Sequence, residues 1–238
     1  MQTPDKKTPV PKNHDLAAYS ARMLGKFTAN PVLMELAARM LAAGEGLAAS
    51  QRVYKEAVLA ILPARVDVKY ENFVSDQRIR RTLKKAELAD DRANGPIVTA
   101  VFPNGANAII RLQGKSQVEA MVDLEGNLDA AKALWPDAVN EMAEVREYRE
   151  RYDAAILGRR AAGQAARNLR VERDAERARF LMTYAEIASR VQAEFPRDKD
   201  TQDLFFDQVR SRSTAEQAES SEELPEEEDD DAAAPTPA

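Results

Sequence analysis

Nine residues between Leu33 and Ile61 recur at alternating steps of three and four: Leu33, Leu36, Met40, Ala43, Leu47, Ser50, Tyr54, Ala57 and Ile61. Spacing of this kind, held for about four heptads, places one narrow apolar seam along a helix. Strands bury alternate residues and have no use for it, so the segment must be helical and must face other helices. Gly44 and Gly46 fall inside the pattern. Each weakens a helix by about 1 kcal/mol relative to alanine, and the unbroken register on both sides points to a bend or a close helix crossing as their reason.

Other segments follow the same logic. Asn13 offers an N-cap to Leu16, Tyr19, Met23 and Phe27, and Asn30-Pro31 marks the start of the heptad helix. Leu62-Pro63 ends or kinks that helix, and a further stretch from about Val66 to Ala93 runs through Tyr70, Phe73, Ile79, Leu83 and Ala86, with Asp76 interrupting its seam. Ser116-Gln117-Val118-Glu119 reads as a capping box before Val118, Met121, Leu128, Ala131 and Trp135. Beyond Pro136 come Val139, Met142, Val145, Tyr148, Tyr152 and Ile156, an alanine-rich middle, and apolar residues to Phe195. The residues leave open whether 136–195 form one helix or two. A short last helix near Asp200–Val209, with Phe205 and Phe206, is expected to fold back as a cap.

One segment reads differently. Ile97 to Phe102 is rich in β-branched residues, Pro103-Asn104-Gly105 has turn chemistry, and Ala106 to Leu112 is again apolar. This predicts a β-hairpin over about 97–112. The expected fold is therefore mostly α: an elongated antiparallel helical hairpin or bundle with coiled-coil-like packing, one small β-hairpin and disordered termini. In domain terms, 1–12, with Pro4, Pro9 and Pro11, is expected to be a flexible leader and 13–210 a single helical domain carrying the insert. Residues 211–238 are expected to be a disordered acidic tail.

That tail dominates the electrostatics. It holds ten carboxylates against Arg212 alone, so it carries −9 of the formal net charge of −6 and leaves residues 1–210 at +3. The chain has no cysteine, which excludes disulfides and thiolate metal sites. Its N-terminus has no signal-peptide core, and charged residues interrupt every long apolar run. The expectation is a cytoplasmic protein without integral membrane association.

His14 is the only histidine and lies at the edge of the expected leader, so a histidine-based triad and a zinc or di-iron centre are not expected. Glu141, Glu144 and Glu147, interleaved with Arg146, Arg149 and Arg151, read as a salt-bridged helix surface. No catalytic, cofactor-binding or metal residue is expected, and no cofactor. The candidate helix-packing seam is Leu33, Leu36, Met40, Leu47, Tyr54 and Ile61. Arg78, Arg80, Arg81, Lys84 and Lys85 form a basic run, and Arg167, Arg170, Arg173 and Arg177 a second. Both are candidate polyanion contacts, with the tail as an internal competitor. The function expected is a non-enzymatic scaffold or adaptor that pairs with itself or with another helical protein. Nucleic-acid or polyanion binding is the alternative.

Overall fold

The computed structural model describes residues 3–207; the acidic segment 211–238 lies outside them. The described chain is mostly α, with helices packed against one another and no strand. The helices are α1 (Val10–Leu24), α2 (Pro31–Leu59), α3 (Ile61–Ala89), α4 (Pro96–Val101), α5 (Asn107–Ile110), α6 (Gly114–Ala131), α7 (Ala138–Glu194) and α8 (Lys199–Leu204). Residues 138–194 are thus one helix of 57 residues. The described residues divide into two compact units, 3–59 with 164–207 and Ala60–Gly163.

The first unit packs α1, α2, the later part of α7 and α8 around one core. Leu16, Leu24, Leu33, Met40 and Leu47 meet Phe180, Tyr184, Ile187 and Val191 there, closed by Phe205 and Phe206. Asn30 caps α2, its side-chain oxygen accepting from the backbone N–H of Val32 at 2.9 Å. Phe27, Phe195 and Phe205 form an aromatic cluster, with Phe195 and Phe205 stacked at 5.6 Å. Asn13 is not a cap: α1 starts at Val10 after Pro9, and Asn13 is fully buried. Residues 5–8 form a turn in which the Asp5 carboxylate accepts from the N–H of Lys7 and of Thr8. The leader expected over 1–12 is therefore folded at least from Asp5: this turn leads into α1, whose first turn accommodates Pro11 without losing a bond.

Gly44 explains how closely α1 and α2 cross. A Cβ built on it would lie 2.6 Å from the Cβ of Ala17, closer than two such atoms approach. Gly46 would meet only the carboxylate end of Glu176, at 3.1 Å.

The second unit packs α3, α4, α5, α6 and the first part of α7. Its main core joins Ile79 and Ala86 to Met121, Leu124 and Leu128, and to Trp135, Ala138 and Val145. Pro63 sits in the first turn of α3, where its missing N–H breaks no bond, so the helix starts at Ile61 rather than after the proline. The expected capping box is also displaced. α6 begins at Gly114, whose N–H donates to the Tyr152 hydroxyl at 2.8 Å, and Ser116 lies within the first turn.

The β-hairpin expected over 97–112 is absent: the segment forms α4 and α5. Pro96 occupies the first helical position, and the Asp90 carboxylate accepts from the N–H of Ile97 at 3.0 Å and of Val98 at 2.8 Å. Gly95 is needed here, because a Cβ on it would fall 2.2 Å from Asp90 Cγ. With its first turn capped, the segment buries Ile97, Val98, Val101 and Phe102, a spacing that shares one helix face. Packing and capping override the strand preference of the β-branched residues.

Gly158, by contrast, is exposed in the middle of α7, and a Cβ there meets nothing within 4 Å. Gly158→Ala is therefore expected to stabilise the protein by about 0.5–1 kcal/mol. A higher urea midpoint at unchanged slope checks this, and a lower midpoint would show that α7 needs the glycine.

Candidate functional site

The second unit carries a partly polar face where a core face is expected. Along α3, the side chains turned toward α6 and α7 include Asn72, Ser75, Asp76, Arg78 and Thr82. Asn72 donates to Gln117 at 2.7 Å and to the Tyr152 hydroxyl at 3.0 Å, while Gln117 donates to Asp76 at 2.7 Å. Arg78 is 4% exposed and pairs with both Glu141 and Glu144 of α7. Glu141 is 2% exposed and also takes Lys85 and the Thr82 hydroxyl. Nearby, Glu125 of α6 pairs with Arg146 and Arg149, and Glu71 of α3 pairs with Arg151.

Glu141 departs from the reading of a salt-bridged helix surface only in being buried. Ala138, Glu141, Val145, Tyr148 and Tyr152 step by three and four, so Glu141 occupies a seam position. That register was the signal in the sequence; the neighbouring apolar Val139 is half exposed. Burial pushes the Glu141 carboxyl up, but the Lys85 hydrogen bond, the Arg78 charge and the Arg78 and Thr82 hydrogen bonds outweigh it and hold it below its ordinary value. Such a carboxylate stays ionised and is a poor proton acceptor. Asp76 is shifted upward by burial, against the Gln117 hydrogen bond and the Arg80 charge. An open cleft of about 780 Å³ lies beside the cluster, lined by Lys85, Leu88, Trp135, Asn140, Glu141 and Glu144 among others. Among the described residues, no three histidine or carboxylate side chains converge as metal ligands do.

No protein family, no curated protein and no solved structure matches this chain.

The basic candidates separate into two kinds. Arg78 is buried and Lys85 exposed, and both are committed to Glu141. Arg80, Arg81 and Lys84 are exposed, and none of them forms a salt bridge among the described residues. On α7, Arg173 lies 4.5 Å over the Tyr54 ring and bonds Asp174, Arg177 donates to the backbone oxygen of Thr8, and Arg167 donates to Gln164. Arg170 is exposed. The second arginine run is thus mostly occupied by structural contacts.

The packing candidates Leu33, Leu36, Met40, Leu47 and Tyr54 are buried in the first unit, and Ile61 in the second. Tyr70 and Phe73, read from the sequence on the α3 seam with Ile79, lie off it. Leu62, Val66, Tyr70 and Phe73 are 64, 57, 57 and 58% exposed. Their spacing of four, four and three puts them on one stripe, away from the side that holds Ser75, Arg78, Ile79 and Thr82. α3 therefore turns a mixed face inward, with Ser75, Arg78 and Thr82 beside Ile79 and Ala86, and an apolar stripe outward.

Proposed function

We propose that the chain is a non-enzymatic helical adaptor that docks another helix, in itself or in a second protein, on the outward stripe of α3. The observation that carries this reading is the exposed apolar stripe of α3. Leu62, Val66, Tyr70 and Phe73 sit in water while Asn72, Arg78 and Thr82 are spent on internal polar contacts. Four large side chains in a row on one helix have the spacing by which a second helix is gripped, in coiled-coil fashion. Burying each fully would contribute about 1.5–3 kcal/mol. The ionised, fully bonded Glu141 supports a structural use of the most buried charge cluster. No described helix is long and apolar enough to cross a membrane, and the cysteine-free composition favours a cytoplasmic setting.

A photo-crosslinking residue at Phe73, in the full chain expressed in its native cell, tests the proposal. The expected result is a discrete product whose linked peptide, sequenced by mass spectrometry, has heptad or amphipathic helical spacing. The same group at exposed Arg170 should give none. Absence of product at Phe73, together with a monomer by light scattering, would sink the reading.

Polyanion binding is the second reading, favoured by the exposed, unbridged Arg80, Arg81 and Lys84. It requires salt-dependent binding of duplex DNA that tightens when residues 211–238 are removed.

A further inference from the structure

We infer that the partner received by α3 is an acidic amphipathic helix, its apolar residues covering Leu62–Phe73 and its carboxylates reaching Arg80, Arg81 and Lys84. This rests on the docking reading above and adds the chemistry of the partner. Arg80 and Lys84 lie four residues apart, and at 3.6 residues per turn they extend the line of Val66 and Phe73 toward the C-terminus of α3, with Arg81 on its flank. All three are exposed and outside any salt bridge. The one carboxylate between Phe73 and Lys84, Asp76, is turned inward and accepts from Gln117 at 2.7 Å. The outward face of α3 thus offers two successive zones, one apolar and one cationic, and in the second three exposed cations outnumber the Asp76 and Glu87 carboxylates near them on the helix.

The order of the zones narrows the occupant. A nucleic acid would satisfy the cations and leave four large apolar side chains in water. A second copy of the same face, laid antiparallel, would place apolar zone on apolar zone but leave both cationic zones without carboxylates. The chain's own segment 211–238 has the carboxylates, but its only large apolar residue is Leu224, followed by Pro225. An external helix with leucine-like residues at heptad spacing and glutamate or aspartate beyond them matches both zones at once.

Two three-heptad synthetic peptides test this against the full-length protein by fluorescence anisotropy. Both carry leucine at the seam positions; one has glutamate and the other lysine at the remaining charged positions. The expected result is binding of the glutamate peptide at least about tenfold tighter than the lysine peptide, with the preference weakened between about 50 and 500 mM salt. Phe73→Asp should abolish binding. The triple charge reversal of Arg80, Arg81 and Lys84 to glutamate should switch the preference to the lysine peptide. Unchanged Trp135 fluorescence and helical circular dichroism control for folding of both variants.

Equal binding of the two peptides would overturn the acidic partner and leave helix docking intact. Binding of the glutamate peptide that survives Phe73→Asp would also overturn it, since only the cations would then be in use. Failure of both peptides to bind would overturn it as well, and the docking reading would then stand or fall on the crosslink at Phe73.

Discussion

Arg78→Leu is expected to destabilise the second unit by about 3–5 kcal/mol. Glu144 is about half exposed and recovers water when Arg78 is lost, but Glu141 stays buried and keeps only Lys85 and the Thr82 hydroxyl. The loss is therefore mostly the uncompensated charge left behind. Replacing the cluster together, by Arg78→Leu with Thr82→Val and Glu141→Leu, should recover most of the stability, because an apolar contact of similar volume needs no desolvated ion. Trp135 is the only tryptophan and lies in the second unit, lining the same cleft as Glu141. Urea titration followed by its fluorescence reads the effect directly. A single variant within about 0.5 kcal/mol of the parent would mean that Arg78 is not structurally committed. The same cluster sets a pH dependence. The folded Glu141 carboxyl lies below its ordinary 4.5, so its contribution is fully present above about pH 4.5 and is lost as pH falls through the folded value. Glu141→Gln should flatten that acid limb.

Gly44→Leu is expected to separate α1 from α2 and remove at least about 3 kcal/mol from the first unit. Both atoms in the close contact are Cβ atoms fixed to helix backbones, so no rotamer change relieves the 2.6 Å approach to Ala17. Gly44→Ala sets a gain of about 1 kcal/mol in helix propensity against an overpacking loss of about 1–3 kcal/mol, and the loss should win. Adding Ala17→Gly moves the methyl from one helix to the other and should restore the packing. Gly46→Ala meets only the movable end of Glu176 and should be neutral or stabilising. Hydrogen exchange of the α1 amides is the measurement, since tryptophan fluorescence does not report on this unit. If Gly44→Leu protects α1 as well as the parent does, the close crossing is not a constraint.

The heptad spacing from Leu33 to Tyr54 marked buried residues because helix periodicity is local and visible in the letters. The terminal aromatic segment behaved the same way: Phe205 and Phe206 are buried where a short cap was expected. The segment 97–112 misled for a physical reason. Strand propensity is weak, and the Asp90 carboxylate seven residues upstream of Ile97, with Pro96 and Gly95, supplies a helix cap that no short window contains. The apolar spacing at 97, 98, 101 and 102 fits a helix face, and β-branching is too weak a preference to oppose it.

Composition and periodicity by themselves determined that this chain is helical, that it lacks the side chains for cysteine or multi-histidine chemistry, and that α2 carries a packing seam. Which side of α3 meets the protein and which meets water was decided only by tertiary structure. Two faces of that helix look nearly alike as letters, each mixing apolar and charged residues. The choice between them was made by partners distant in sequence, when Gln117, Glu141 and Tyr152 offered hydrogen bonds strong enough to draw a partly polar face inward and leave Leu62, Val66, Tyr70 and Phe73 outside.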